Sequence, residues 1–487
     1  MVHANNDFGV LATTRYLPRL RLDRSEVFAQ HRWMAAGLKA HAKGHRAMAS
    51  WDEDSITMSV EAARQLQAAL PALPPSELTL ASTTLPFADR LNAGVVAAAL
   101  GLPSDVVLRD LASSPRAATT ELASALAAGR PATRMLLAAE RRTPRPASAQ
   151  EMIFGDGAAG VLIGNGPAIA TWVAHHGVHA DLVDHFREAG SDHDYGWEER
   201  WIRDEGYMKV AVDAILQCLA KAGIPASEIA RFVLPAPLPR INEAVAKRAG
   251  IRPEALVTTH AESAGDLGGA QPLAMLDTAL RRAAAGELIL VVAFGSGCDA
   301  LLLRRTAVPC PGVEPAGGRP ETSYMKYLSF TGRIALEWGM RAEMDNKTAL
   351  TAAWREGARV AHFEGGKCSA CGTVQFPFSR LCVNPACRAQ DTQVPTSLAD
   401  TGARVLSHTS DWLAYTPAPP FQFGHVDFDG GGRVLMEFAD TDAGELSVGL
   451  PLRTVFRVKD LDAKRGFRRY FWKATPVRNA AQGASHG

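Results

Sequence analysis

The chain has 487 residues, 47% hydrophobic and 21% charged, which is ordinary globular composition with enough apolar material for a sizeable core. Lys and Arg total 52 against 51 for Asp and Glu, a net charge of +1. That balance excludes strong electrostatic steering and the basic footprint of a nucleic-acid binder.

The opening MVHANNDFGVLATT has no basic stretch followed by a long apolar run, so no signal peptide is expected. No apolar run approaches the ~18 residues of a membrane span. Seven cysteines in so long a chain make no disulfide framework. The expectation is a soluble protein of a reducing cytoplasm, with neither a membrane nor nucleic acid as partner.

Residues 1–305 alternate helix and strand patterns, which predicts an α/β layered fold. This block contains itself twice. ELASALAAGRPATRMLLAAE precedes FGDGAAGVLI at Phe154, and PLAMLDTALRRAAAGELILVVAF runs into FGSGCDALLL at Phe294. Each copy reads helix, glycine (Gly129 or Gly286), strand and F-G-x-G, and each helix is expected to begin at a proline, Pro115 or Pro272. The matched order predicts a duplicated half-domain, with halves at about 8–166 and 167–305.

Residues 306–321, TAVPCPGVEPAGGRPE, are rich in Pro and Gly without periodicity and read as a linker. Residues 322–361 carry aromatics and leucines at helical spacing. Cys368-x2-Cys371, ten residues, then Cys382-x4-Cys387 follow, within an expected zinc ribbon over 362–395. Two cysteine pairs on short knuckles supply a tetrahedral thiolate cage with no open position, so the expected zinc is structural. Four free thiols or two disulfides are the alternatives. Over 396–478, five β-like runs, ARVLSHTS, FQFGHVDF, RVLMEF, RTVFRVK and FRRYFWKA, fit a small OB-type β-barrel. A polar tail, 479–487, closes the chain. From Thr396 onward 11 basic and 10 acidic residues again argue against nucleic acid. The local cluster Lys464, Arg465, Arg468 and Arg469 reads as a solvated edge or, alternatively, as a contact for an anionic ligand.

WDEDSITMSVEAARQL (Trp51–Leu66), FGDGAAGVLIG, AFGSG and the DHFR of Asp184–Arg187 followed by EGYMKVA resemble the thiolase superfamily, and within it the hydroxymethylglutaryl-CoA synthase branch. The C-terminal block resembles the zinc-ribbon/OB-fold domains that accompany thiolase-like proteins. The resemblance covers about 8–305 and 322–478. It implies a duplicated five-layer fold, a homodimer through the thiolase-like domain, and an acyl-CoA substrate with coenzyme A as part of it. It also implies that the loop Gly295-Ser296-Gly297 lines the substrate pocket and offers a backbone N–H to the thioester oxygen.

The synthases use a cysteine, a histidine and a glutamate. On this sequence the cysteine position falls near Ser114 or Pro115, the histidine position on Pro235 within Phe232–Pro237, and the glutamate position near Thr83. All three groups are replaced. Ser114 reads as a helix cap before a proline or, alternatively, as a nucleophile lacking its base. Cys298 reads as a small buried hydrophobe or, alternatively, as the other possible thiol nucleophile. Retro-aldol cleavage of a β-hydroxyacyl-CoA needs only a base for the hydroxyl and a stabiliser for the enolate. Some thiolase-like proteins with such partner domains are aldolases of this kind, in steroid side-chain degradation. The function expected is a non-covalent carbon–carbon lyase, with a condensing acyltransferase or a non-catalytic acyl-CoA-binding scaffold as alternatives. The candidate groups are Asp266, which falls where the synthases carry an asparagine and reads as a general base or as a turn or cap aspartate before a helix, His260 near it in sequence, and Tyr207. Tyr207 ends the stretch HFREAGSDHDYGWEERWIRDEGY, whose plainer reading is a salt-bridged helix with Trp197 and Trp201 buried. A neighbouring arginine is expected to lower the Tyr207 pKa.

Overall fold

The computed structural model describes residues 8–312, 317–338 and 349–478. The chain forms two compact units, one of Met1–Ala49, Asp54–Ala93 and Ser104–Tyr324, the other of Ser50–Glu53, Gly94–Pro103 and Met325–Gly487. Two short N-terminal segments thus cluster with the C-terminal unit, which a division read along the chain does not anticipate.

The first unit is built on a nine-stranded sheet. Its strands run in the order 229–233, 288–294, 297–305, 170–179, 8–16, 157–165, 134–140, 77–81, 107–111. The order is that of a duplication. Strands Phe8–Tyr16 and Ala170–His179 meet at the centre, pairing at Val10 and Ala170. Outward from each lie two antiparallel neighbours and then a parallel one. The two helix–Gly–strand–FGxG copies occupy equivalent places on either side of that centre.

Alternation along the strands explains the layers. Ile289 and Val291 face a core shared by the helices Ala117–Ala128 and Gln271–Arg282, while Leu288, Leu290 and Val292 face one containing Val212–Ala222 and Ile241–Ala249. The first two helices form the central layer, and Leu122, Leu273, Leu276 and Leu280 there are fully buried. Each such side chain contributes roughly 1.5–3 kcal/mol. The central helix also buries Asp277, a charge tolerated because Thr13 Oγ1 (2.8 Å), Arg15 (2.9 Å) and Arg281 (3.0 Å) donate to it. The helix Ser55–Ala69 starts at a capping box, with the Asp54 carboxylate accepting from Ile56 N and Thr57 N and Thr57 Oγ1 accepting from Asp54 N.

Three expectations need correction. The stretch from His185 to Tyr207 is not one helix: it is a small hairpin, His185–Phe186 with Tyr195–Gly196, followed by a short helix and a π-helical segment, Ile202–Ala211. Trp197 and Trp201 are exposed, each at 49%. The end of the expected linker, Arg319–Glu321, pairs in parallel with Leu20–Leu22.

In the second unit, helices occupy Tyr324–Phe330 (bar Tyr324 itself), Leu350–Arg355 and Gly357–Ala361, with residues 339–348 of the expected helical segment outside the described residues, as is the tail 479–487. A three-stranded sheet (Val374–Gln375, Glu364–Cys368, Gln393–Ser397) carries the cysteines. A six-stranded sheet follows, dominated by the hairpin Pro451–Asp462/Phe467–Pro476 and packed on Phe363, Phe456 and Trp472. Its first expected strand is two short ones, Ala403–Val405 and Thr409–Asp411.

This unit holds a buried charge network. Lys473 Nζ contacts Asp52 at 2.9 Å and Glu437 at 3.1 Å, and Arg457 contacts Glu53 at 3.2 Å and Asp440 at 2.8 Å. Burial alone would raise the Asp52 pKa, but Lys473 and Arg457 outweigh it and hold the carboxyl below its usual range. A depressed carboxyl pKa stabilises the fold above the unfolded value of ~3.9 and loses that contribution as pH falls toward the folded one. Asp52→Ala is expected to cost about 3–5 kcal/mol, because it strips a buried cation of a partner. A fall in the urea midpoint at pH 7, shrinking toward pH 3, checks this.

Candidate active site

The second glycine loop sits against the start of a central helix. That helix begins at Ala117 with Arg116 as its N-cap, so the expected cap, Ser114, lies two residues early and Pro115 is outside the helix, whereas Pro272 is within the first turn of its own. Ser114 Oγ accepts from Arg116 N and donates to Gly295 O, both at 3.3 Å. Gly297 has φ +120°, and a Cβ there would stand 2.2 Å from Val178 O, so the turn requires glycine. Ser296, at φ +48°, is exposed. The Gly295 amide donates to Gly297 O at 2.9 Å, so of the loop's N–H groups this one is used inside the loop. Arg116 fixes the loop from outside, donating to Gly295 O and to Asp299 Oδ2, each at 2.7 Å. Burial would raise the Asp299 pKa, but His175, Thr120 and Arg116 hold it below the usual carboxylate range.

Asp266 lies beside the first glycine loop: its N–H donates to Ile153 O and its carbonyl accepts from Gly155 N, each at 2.9 Å. Its carboxylate is engaged by Arg142 Nη2 at 3.0 Å and by the Gly268 amide at 3.1 Å, the geometry of a turn aspartate. Arg142 lies 3.6 Å over the Phe154 ring.

Sequence reasoning missed Glu140, at the end of the strand Arg134–Glu140. It is fully buried, accepting from Thr83 N, Thr83 Oγ1 and Thr84 Oγ1, each at 2.9 Å. Burial outweighs these donors and Arg142, and raises its pKa. Thr83 is thereby held at both its amide and its hydroxyl, and its carbonyl accepts from Arg187. A carboxylate closing the otherwise apolar run MLLAAE was the available signal.

Tyr207 lies on the π-helical segment, its ring 4.5 Å from Phe294 at the start of the second loop. It is 4% exposed, and its hydroxyl makes no protein hydrogen bond among the described residues. Burial, reinforced by the charges of Asp184 and Asp266, pushes its pKa well above the ordinary value. The expected lowering by an arginine is reversed: carboxylates, not a guanidinium, surround this phenol.

His260 is not brought to this group. It has φ +60°, its Nε2 lies 2.9 Å from Thr278 Oγ1, and it lines a cleft of about 310 Å³ with Arg15, Arg21 and His45. Cys298 is fully buried and its thiol pKa is pushed far up by burial. In the second unit Arg465, largely exposed, pairs with Asp462 (2.6 Å), whereas Arg469 and Asp460 pair half-buried (2.7 Å), so a solvated edge describes the first pair and not the second.

The sulfurs of Cys368, Cys371, Cys382 and Cys387 lie within 4.8 Å of one another, with Cys368–Cys387 at 3.9 Å and Cys371–Cys382 at 3.6 Å. These separations are too long for the ~2.0 Å of a disulfide. They match the ~3.8 Å edge of a tetrahedron with Zn–S near ~2.3 Å. Gly372, at φ +76°, turns the first knuckle so that its amide donates to Cys368 O at 2.8 Å. The donor set fits zinc.

The 3-oxoacyl-(acyl-carrier-protein) synthase III C-terminal family matches residues 219–304, and the ChsH2 rubredoxin-like zinc ribbon family matches residues 355–393. The hydroxymethylglutaryl-CoA synthase of Methanopyrus kandleri is 26% identical over 302 residues, 59% of this chain and 84% of that protein. The 3-oxoacyl-(acyl carrier protein) synthase III of Pseudomonas aeruginosa superposes with a TM-score of 0.55 at 21% identity, covering 63% of this chain and all of that one. A variant of Xanthomonas campestris OleA with bound lauric acid and lauroyl-CoA superposes with a TM-score of 0.54 at 16% identity, covering 62% and 99%. These two structural likenesses concern the fold. The chain has a thiolase-like fold, is similar to hydroxymethylglutaryl-CoA synthases and carries a stretch that matches a zinc ribbon family toward its C-terminus.

Proposed function

We propose that this chain is an enzyme that binds a β-hydroxyacyl-CoA and cleaves the carbon–carbon bond beside the thioester, without forming an acyl-enzyme. The observation that carries the reading is the exchange of groups at the second glycine loop. Ser114, near which the resemblance to the synthases puts their thiol, is tied to the Gly295 carbonyl, and the one cysteine of the loop strand, Cys298, is sealed and kept protonated. A buried phenol, Tyr207, held in its neutral form and lacking a protein partner, stands beside that loop instead.

In the proposed step a base takes the β-hydroxyl proton and the C–C bonding electrons move into the thioester. A carbonyl compound leaves, and the enolate is reprotonated to a shorter acyl-CoA. Tyr207 donates a hydrogen bond to the developing enolate oxygen. Ser296 and Gly297 line the thioester end of the pocket. Asp266 and Glu140 position: the first anchors Arg142 and the Gly268 turn, the second holds Thr83.

The names of the relatives favour a second reading, a condensing acyltransferase, which requires an acylated side chain. Ser114→Ala separates the two. The cleavage reading expects activity within about threefold of wild type and no acyl mass shift on the intact protein. A stoichiometric adduct on Ser114, abolished in the variant, contradicts it. A chain that binds acyl-CoA without turnover would be a scaffold. In the second unit the four cysteines would hold zinc, which supplies structural cross-linking only. Homodimerisation would use the edge strand Val107–Leu111, whose Val107 is 46% exposed. The free cysteines suit a reducing cytoplasm.

A further inference from the structure

The cleavage reading leaves one role unfilled. Asp266 is bound on both carboxylate oxygens, His260 lies in another cleft, and Tyr207 is a proton donor rather than a base. The small hairpin between the two halves carries a further titratable pair. His185 Nδ1 lies 2.7 Å from Asp184 Oδ2, with the imidazole one-third exposed and the carboxylate half as much. Such a bond keeps the Nδ1 proton on the aspartate side and leaves the Nε2 lone pair outward. Nε2 has no protein hydrogen bond among the described residues.

The hairpin is fixed against the site. Trp197 N donates to Asp184 O at 3.0 Å. Arg187 pairs with Asp194 at 3.1 Å and donates to the carbonyl of Thr83, the residue Glu140 holds. A Cβ on Gly206, the residue before Tyr207, would stand 2.9 Å from Leu182, two residues before Asp184, so the chain entering the dyad packs beside the segment that carries the donor, and the Asp184 charge helps to raise the Tyr207 pKa.

Resting on the cleavage reading above, we infer that His185 is the catalytic base that takes the β-hydroxyl proton, with Asp184 as its positioning residue. Nε2 accepts the hydroxyl proton as the C–C bond breaks, and the imidazolium returns that proton to the enolate carbon. The cycle consumes no other reactant. The charged groups facing the ring are Asp184, Asp194 and Arg142. Burial lowers the imidazole pKa, Asp184 and Asp194 raise it, Arg142 opposes them, and the net shift is upward.

The test uses the full-length chain and a panel of β-hydroxyacyl-CoAs. His185→Ala is expected to lose about 10²–10⁴-fold in kcat, with partial recovery in added imidazole. Asp184→Asn is expected to move the acid limb of the kcat/KM profile to lower pH, because it removes the group that raises the imidazole pKa. His185→Gln, which keeps a side-chain hydrogen bond to Asp184, controls for folding and should be as inactive as the alanine variant. Wild-type rates in His185→Gln, or loss without imidazole rescue and with an unmoved acid limb, overturn the base assignment alone. A wild type inert on the whole panel overturns the cleavage reading and the dyad with it.

Discussion

Tyr207→Phe is expected to lower kcat for thioester-adjacent cleavage by about 10²–10³-fold while leaving KM within a fewfold. The size follows from the loss of one preorganised donor at a site of developing negative charge, roughly 2.7–4 kcal/mol. The ring keeps its packing, since its contact with Phe294 at 4.5 Å involves no hydroxyl. Removing a hydroxyl that has no protein partner leaves no orphaned group behind, so the thermal midpoint should stay within a few degrees. The pH profile adds a second check. Because burial and two carboxylates raise the phenol pKa, Tyr207 stays protonated across neutral and mildly alkaline pH, and wild-type activity should show no falling limb from this group there. A phenylalanine variant with wild-type kcat removes Tyr207 from the chemistry.

The second large effect concerns zinc. The four sulfurs converge from the end of the strand Glu364–Cys368 and from the loops that hold Cys371, Cys382 and Cys387, and of the four only Cys368 and Cys382 are buried. Folding of such a ribbon rests on the metal, and zinc binding to comparable sites is worth about 10–16 kcal/mol at pH 7. Cys382→Ser is expected to drop metal content from one zinc per chain to near zero. Amide-exchange protection over 364–397 should fall together with it. Full protection in a zinc-free variant contradicts the metal assignment.

How far these features could be read beforehand depends on how local their causes are. The duplicated halves were legible because helix, glycine, strand and F-G-x-G recur at a fixed offset, and the sheet order bears the repeat out. The cysteine spacing made the ribbon legible for the same reason. The five C-terminal β-like runs were legible too, and in the structure Asp429–Gly432 turns between the second and the third. The site was less readable. Proximity in sequence joined His260 to Asp266, yet the backbone turns at His260 and sends its ring to Thr278. Glu140 and Thr83 are 57 positions apart and meet only because their strands are neighbours in the sheet. The sign of the Tyr207 shift depended on which charges the fold brings near, and the three arginines of that stretch are engaged elsewhere: Arg187 with Thr83 and Asp194, Arg200 with Glu198, and Arg203 with Asp204. Likewise nothing local to Ser50–Glu53 announces that Asp52 and Glu53 serve as counter-ions for Lys473 and Arg457, some 400 residues later.

The central claim is carbon–carbon cleavage beside a thioester without an acyl-enzyme. Its most direct test is mass-spectrometric product analysis after incubating the purified, zinc-loaded chain with β-hydroxyacyl-CoAs of graded size, with the intact protein weighed in the same samples. The account predicts a shorter acyl-CoA and a carbonyl compound in equal amounts, with the protein mass unchanged. Acyl adducts on the protein, with condensation products and no cleavage, would contradict it.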